Sequence, residues 1–309
     1  MPAYHVQRST TIQASPEKVF DTVVDYGTWT SWSPWLGVDK DAVVTVSDDS
    51  NSVGSLYHWT GELVGEGEIE HESLDRPHAI NDEIRFVKPF KSKSGVSFEL
   101  APDGDGTKIT WHMDGKLPWF LFWMKSSIQV FIGMDYDRGL KMLKELIETG
   151  QVLSNTEVLG VENVESRNLV GHANSSSIAG IGAAMEKSVQ TATEKLTAAG
   201  VSLDGEMLSA YHPTDLKLGR FDFVTGYSLP SGTDVPAGLE QCELPAGKAL
   251  HIRHTGCYSN LGNAWSGAYQ YARYKKLKIA KRDGYEVYRN SPEDTDPADL
   301  ITDIYVPLK

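Results

Sequence analysis

Glu286 and Tyr288 have the types and spacing to do chemistry together. They sit two apart in Tyr285-Glu286-Val287-Tyr288-Arg289-Asn290, whose alternation reads as a strand, so they share one face. If that face looks inward, the carboxylate enters an apolar setting. An unpaired charge there is costly and waits for a cation or a hydrogen-bond donor. Tyr211, Phe223 and Tyr227 upstream, with Tyr258, Trp265 and Tyr269 nearer by, could complete an aromatic cage for such a cation. Tyr305 shares a strand face with Asp303, inward or outward. Plainer readings stand beside these. Glu286 could be a structural ion pair with Arg253 or Arg289, and Trp265 could be the core contact of its helix, with Leu261 and Ala268 one turn away.

The elements that must position these residues come as a hairpin and its echo. Tyr285–Asn290 and Leu300–Leu308 read as strands around Ser291-Pro292-Glu293-Asp294-Thr295-Asp296-Pro297, where two prolines stop either strand from continuing. Upstream, Met207–Asp215 leads into Arg220–Leu229, so that Tyr211-His212 aligns with Tyr288-Arg289 and Phe221-Asp222-Phe223 with Thr302-Asp303-Ile304. Helix-like segments, 178–199 and 260–279, precede the two hairpins. The second half therefore reads as a tandem β-α-β-β repeat.

Glu-x-Tyr, the Asn-x-Pro turn and Thr-Asp-Ile-Tyr-Val-Pro-Leu, preceded by Ala249-Leu250-His251-Ile252-Arg253-His254-Thr255-Gly256, resemble the GyrI-like small-molecule-binding domain over roughly 160–309. In that family the module is the effector-binding part of multidrug-responsive transcription activators, and a Glu at this motif position contacts lipophilic cations. The resemblance implies a ligand role for Glu286, and the candidate ligand site is taken as Glu286 with Tyr288, Tyr305, Tyr211, Phe223, Tyr258 and Trp265. It also offers a second reading, because some GyrI-like proteins resemble hydrolases that open cyclopropane-containing toxins. Glu286 would then be the base, with Tyr288 or Trp265 stabilising developing positive charge. A third reading is a module that sequesters a protein partner.

In the first half, Ser15-Pro16-Glu17 is a helix start, with Ser15 as N-cap and Pro16 in the first turn. Val19, Phe20, Val23 and Val24 form its apolar stripe. Strand-like segments recur at 42–47, 54–60, 63–73, 80–88, 95–100 and 107–114. A long helix over roughly 119–148 closes the half. This α+β layout, with Ala14-Ser15-Pro16-Glu17-Lys18-Val19-Phe20 and Trp32-Ser33-Pro34-Trp35, resembles the SRPBCC (START-like, polyketide-cyclase-like) superfamily. That implies a helix-grip domain, a curved sheet around a C-terminal helix with a cavity between. The expected domains are 1–150, START-like, and 156–309, GyrI-like, with 151–156 as a linker.

Composition narrows the function. A net charge of −13 with no basic stretch argues against nucleic acid. Cys242 and Cys257 are the only cysteines, too few for a disulfide framework or Cys-rich metal site, and Cys257 reads as a packing residue. The most apolar run, Leu117 to Met134, is interrupted by Lys125, Ser126, Ser127 and Gln129, so it does not span a bilayer. The expectation is a cytoplasmic protein with a small lipophilic ligand and no cofactor, metal, nucleic acid or membrane partner. Seven of the eight tryptophans lie in 1–150, and they read either as the lining of an apolar cavity or as ordinary core. Glu62, Glu66, Glu68, Glu70 and Glu72 read as a solvated, edge-protecting strand face. His58, His71, His78 and His112 have no catalytic or metal-binding spacing. Ser175-Ser176-Ser177 reads as a helix cap.

Overall fold

In a computed structural model the described residues are 2–177, 180–212 and 220–309. Residues 178–179, at the start of the helix expected over 178–199, and 213–219, within the expected first hairpin, thus lie outside them. Two units divide the chain, Met1–Val152 and Leu153–Lys309.

The first unit is a seven-stranded antiparallel sheet in the order β1-β7-β6-β5-β4-β3-β2. Its strands are β1 (Ala3–Ile12), β2 (Val43–Val46), β3 (Leu56–Gly61), β4 (Gly65–Asp75), β5 (Ala79–Lys88), β6 (Ser92–Asp103) and β7 (Gly106–Lys116). Helices α1 (Pro16–Val24) and α2 (Trp29–Trp32) fill the β1–β2 connection, and α3 (Lys125–Thr149) closes the unit. The Ser15 hydroxyl accepts from the Lys18 amide at 3.3 Å, capping α1 as expected. The closing helix starts later than its apolar pattern suggests, because Trp119–Met124 forms a 3-10 turn. It ends at Gly150, whose φ of 87° suits the left-handed cap.

Trp111 centres the core. Tyr136 of α3 stacks on it at 3.9 Å, and Phe98 stacks at 5.1 Å. Gly139 permits that approach, since a Cβ there would lie 2.8 Å from the Trp111 ring. Trp29, Trp32 and Trp111 are buried, and Trp35 and Trp59 pack against the same cluster. Trp119 and Trp123 instead face solvent.

The acidic row is not at an edge, because β4 lies between β3 and β5. Glu68 and Glu70 both accept from Arg85 at 2.6 Å, and Glu66 pairs with Lys88 at 2.7 Å. Cross-strand ion pairing, not edge protection, explains it. His71 is more embedded than its lack of a sequence partner suggests. Its Nδ1 meets Asp82 at 2.6 Å, its Nε2 meets the Val24 carbonyl at 2.8 Å, and its ring stacks on Tyr26.

The second unit is an eight-stranded antiparallel sheet, β12-β9-β11-β10-β14-β15-β13-β8. Its strands are β8 (Ser154–Val164), β9 (Arg167–Ser177), β10 (Met207–Tyr211), β11 (Arg220–Ser228), β12 (Glu240–Leu244), β13 (Gly247–Gly256), β14 (Gly284–Tyr288) and β15 (Ile301–Pro307). Helices α4 (Ile181–Ala198) and α5 (Leu261–Tyr274) follow β9 and β13. Each β-α-β-β repeat gains a leading strand absent from the expectation, β8 or β12, and each pairs with the other repeat's next strand. β8 takes up part of the expected linker.

The register corrects the repeat alignment. Tyr211 pairs with Phe223 and Tyr288 with Thr302, so Phe223 corresponds to Thr302 rather than Ile304. The second hairpin loop is longer by two residues. An even shift keeps every side chain on its face.

The two faces bury different cores. Ala264, Ala268 and Ala272 of α5 pack on Leu250, Ile252, Ile304 and Val306. Ala192 and Leu196 of α4 pack with Val170, Leu229 and Leu239. Small residues let both helices lie close to the sheet. On the other face, Leu208, Val224, Tyr285, Val287 and Tyr305 cluster with Leu244 of β12 and Val164 of β8. The two edge strands therefore curl toward each other on that side.

Candidate functional site

Alternation along β14 sends Tyr285 and Val287 to the curled face and Glu286 and Tyr288 to the helix face. Ser209 lies directly opposite Glu286, with Met207 opposite Tyr288 and Tyr211 opposite Gly284. A pseudo-two-fold through the Ser209–Glu286 pair therefore exchanges Tyr211 with Tyr288. Glu286 sits on that axis, only 2% exposed.

Three neutral donors meet its carboxylate. Trp265 Nε1 donates to Oε1 at 2.6 Å, while the hydroxyls of Tyr288 and Tyr211 donate to Oε2 at 2.7 and 2.9 Å. Gly284 makes room for the indole, since a Cβ there would lie 2.9 Å from the Trp265 ring. Behind Tyr288, its hydroxyl meets Ser209 Oγ at 3.0 Å, and Ser209 meets Thr225 Oγ1 at 2.8 Å. Met185 of α4 approaches from the other repeat, its sulfur 3.9 Å from the Tyr211 hydroxyl.

Burial pushes the Glu286 carboxyl above the usual carboxylate range, and hydrogen bonds from Trp265, Tyr288 and Tyr211 pull it back in part. Burial, reinforced by the Glu286 charge, holds the Tyr211 and Tyr288 phenols well above their ordinary value. The same causes push Tyr258 up to about 12. These phenols stay protonated and remain donors.

The structure gathers most of the expected cage. Trp265 meets Tyr211 edge-on at 5.4 Å, Phe223 lies 6.1 Å from Tyr211, and Tyr258 meets Tyr288 edge-on at 5.4 Å. Tyr269 stacks on Trp265 from outside and is 50% exposed. Tyr227 turns to α4, its hydroxyl 2.9 Å from Thr193.

Tyr305 is a correction. It pairs with Tyr285, so it lies on the curled face, away from Glu286. Parity along β15 joins it to Asp303, and register puts both on the far side.

The structural ion pair proposed for Glu286 also belongs to Asp303. Arg253 grips the Asp303 carboxylate at 2.8 and 3.0 Å, Arg289 Nε donates at 2.6 Å, and His251 Nε2 lies 3.2 Å away. Burial alone would raise the Asp303 carboxyl, but His251, Arg253 and Arg289 together hold it far below the ordinary range. Sequence reasoning missed Asp303, although one acid within Ile301-Thr302-Asp303-Ile304 was a usable signal. It missed Ser209, Thr225 and Met185 too, which are ordinary residues until the register is known. Among the described residues no group of three or more His, Cys, Asp or Glu is arranged to hold a metal ion.

A sheet packed with a long C-terminal helix is thus followed by a pseudo-two-fold sheet that carries an axial carboxylate among aromatics. Residues 3–148 are a domain of the polyketide cyclase / dehydrase and lipid transport family, and residues 160–309 are a GyrI-like small molecule binding domain. Solved structures are similar over about half the chain. A Chromobacterium violaceum protein is 19% identical with a TM-score of 0.37, covering 47% of this chain and 96% of its own. One from Mesorhizobium loti is 16% identical with a TM-score of 0.38, covering 48% and 99%. A third, SAV2435 bound to tetraphenylphosphonium, is 18% identical with a TM-score of 0.36, covering 48% and 92%. A search of curated proteins finds no match.

Proposed function

We propose that the GyrI-like domain binds small lipophilic cations at Glu286, as a sensor or sequestering module. One contrast supports this reading. Among the described residues the sheet holds two buried carboxylates, Glu286 and Asp303, and Asp303 has two arginines of its own. Glu286 has only neutral donors among the described residues. A cation among Tyr211, Tyr258, Trp265 and Tyr288 would supply the missing charge, with the ring faces adding to the attraction. Tyr269 and Trp265 form the outer layer, so entry requires them to swing aside.

Rhodamine 6G titrated into the full chain tests this. Glu286→Gln keeps the shape and removes the charge, and should weaken binding by roughly 10- to 100-fold, about 1–3 kcal/mol. A neutral aromatic probe should be little affected. If the variant binds rhodamine 6G as well as the unmodified protein does, the reading fails.

The upward shift of the Glu286 carboxyl through burial supports a second reading, because a carboxyl that holds its proton beyond the usual range suits general acid–base work. A strained cyclopropane would then be opened by water that Glu286 orients. Mass spectrometry of such an electrophile after incubation separates the two, since a ring-opened hydrate requires turnover and intact compound does not.

A further inference from the structure

The first domain carries an unexplained surface. Trp119, Phe120, Phe122 and Trp123 are 75%, 57%, 64% and 67% exposed, and Phe90 is 80% exposed. The backbone beneath them is anchored: Leu117 is buried and its amide donates to the Pro2 carbonyl at 2.9 Å. Fixed backbone under outward-pointing rings is an unusual arrangement in a soluble domain.

Register places these rings at one end of the sheet. β5 pairs with β6 out to Phe86↔Ser92, and β6 pairs with β7 at Ser94↔Gly115. The hairpin tip carrying Phe90 thus leaves the sheet at the same end as the Trp119–Met124 turn. Lysines cluster there in an otherwise acidic chain, namely Lys88, Lys91, Lys93, Lys116 and Lys125. Lys88 and Lys93 neutralise Glu66 and Glu83. Lys91, Lys116 and Lys125 have no ion pair among the described residues, and the other acids at this end are Glu62, Asp41, the buried Asp39, which accepts from the Leu63 and Val64 amides, and Asp114, which is bonded to His5.

We propose that this end of the first domain docks on an anionic lipid surface. Tryptophan and phenylalanine settle at the headgroup–acyl boundary, and the flanking lysines meet lipid phosphates. The chain's net charge of −13 repels such a surface overall, so the contact depends on this local cluster. A second copy is the poorer occupant, because an isologous contact would set the same lysines against each other. Surface docking needs no spanning segment. The broken run Leu117–Met134 is too interrupted to insert, and no described helix is long and apolar enough to cross a membrane.

Co-sedimentation of the full chain with phosphatidylcholine vesicles, with and without about one-third phosphatidylglycerol, tests the proposal. The protein should partition onto the anionic vesicles with blue-shifted tryptophan emission, and added salt should release it. Trp119→Ala with Trp123→Ala should lower partitioning at least about ten-fold. Lys116→Glu with Lys125→Glu should abolish the preference for anionic vesicles. All four positions are exposed, so unchanged melting curves confirm intact folding. Failure to partition, or partitioning unaffected by the tryptophan pair, overturns the proposal. So does concentration-dependent dimerisation in light scattering that the tryptophan pair abolishes, which would make this face a self-association surface.

Discussion

Replacing Trp265 with phenylalanine tests how the buried charge is held. Trp265→Phe keeps an aromatic ring against Tyr211 and Gly284 but deletes the Nε1 donor, 2.6 Å from Glu286 Oε1. That oxygen is then left without a partner, while Oε2 keeps Tyr211 and Tyr288. A hydrogen bond to a charged group contributes about 1.5–3 kcal/mol, so about 2 kcal/mol should be lost at neutral pH, roughly 30-fold in an opening equilibrium. The loss depends on pH. Glu286 titrates above its unfolded value of 4.5, mainly through burial. Its contribution to stability is therefore full below that value and fades as pH rises through the folded value. Removing a donor raises the folded value further. The cost of Trp265→Phe should be small near pH 4, where both states are protonated, and grow toward pH 8. Amide-exchange protection of the 284–288 segment in the full chain, corrected for intrinsic rates, reads this directly. A loss equal at both pH values, or none at neutral pH, would refute the idea that the indole stabilises a buried carboxylate.

Asp303 should behave oppositely. Its folded value is depressed by His251, Arg253 and Arg289, so Asp303→Asn should cost about 3 kcal/mol at neutral pH and less as acid protonates the carboxyl. That lies at the low end for a broken buried pair, because Arg253 and Arg289 remain about a third exposed; urea unfolding at two pH values measures it. Polypeptides 1–152 and 153–309, divided where the compact units meet, should each unfold cooperatively by circular dichroism. If either is unfolded alone while the whole chain melts as one, their independence is wrong.

Much of this was legible because the sheets obey simple periodicities. Ser15-Pro16 announced α1, and Glu286 with Tyr288 declared a shared face by spacing alone. Parity cannot say which face meets a helix, and so Tyr305 was grouped with the cage. Only the pairing Tyr285↔Tyr305 places it on the opposite side. The glutamates of β4 misled for a related reason. Alternating acids look the same on an edge strand and on an inner strand whose neighbours bring Arg85 and Lys88. β12 escaped notice because Glu240-Gln241-Cys242-Glu243-Leu244 is short and mostly polar, and tertiary pairing with β9 makes it a strand.

The Ser209–Glu286 pair has a consequence for stoichiometry. Around its axis the site comes in duplicate, with Tyr211 answering Tyr288, but the two residues on the axis itself, Ser209 and Glu286, differ. Two glutamates there would face each other across one antiparallel pair, with Cβ atoms about 5 Å apart in a dry interior, where only one of the two could stay ionised. A hydroxyl opposite a carboxylate breaks the tie. The axis then offers a single carboxylate, so the cation binding proposed for it is expected at one molecule per chain.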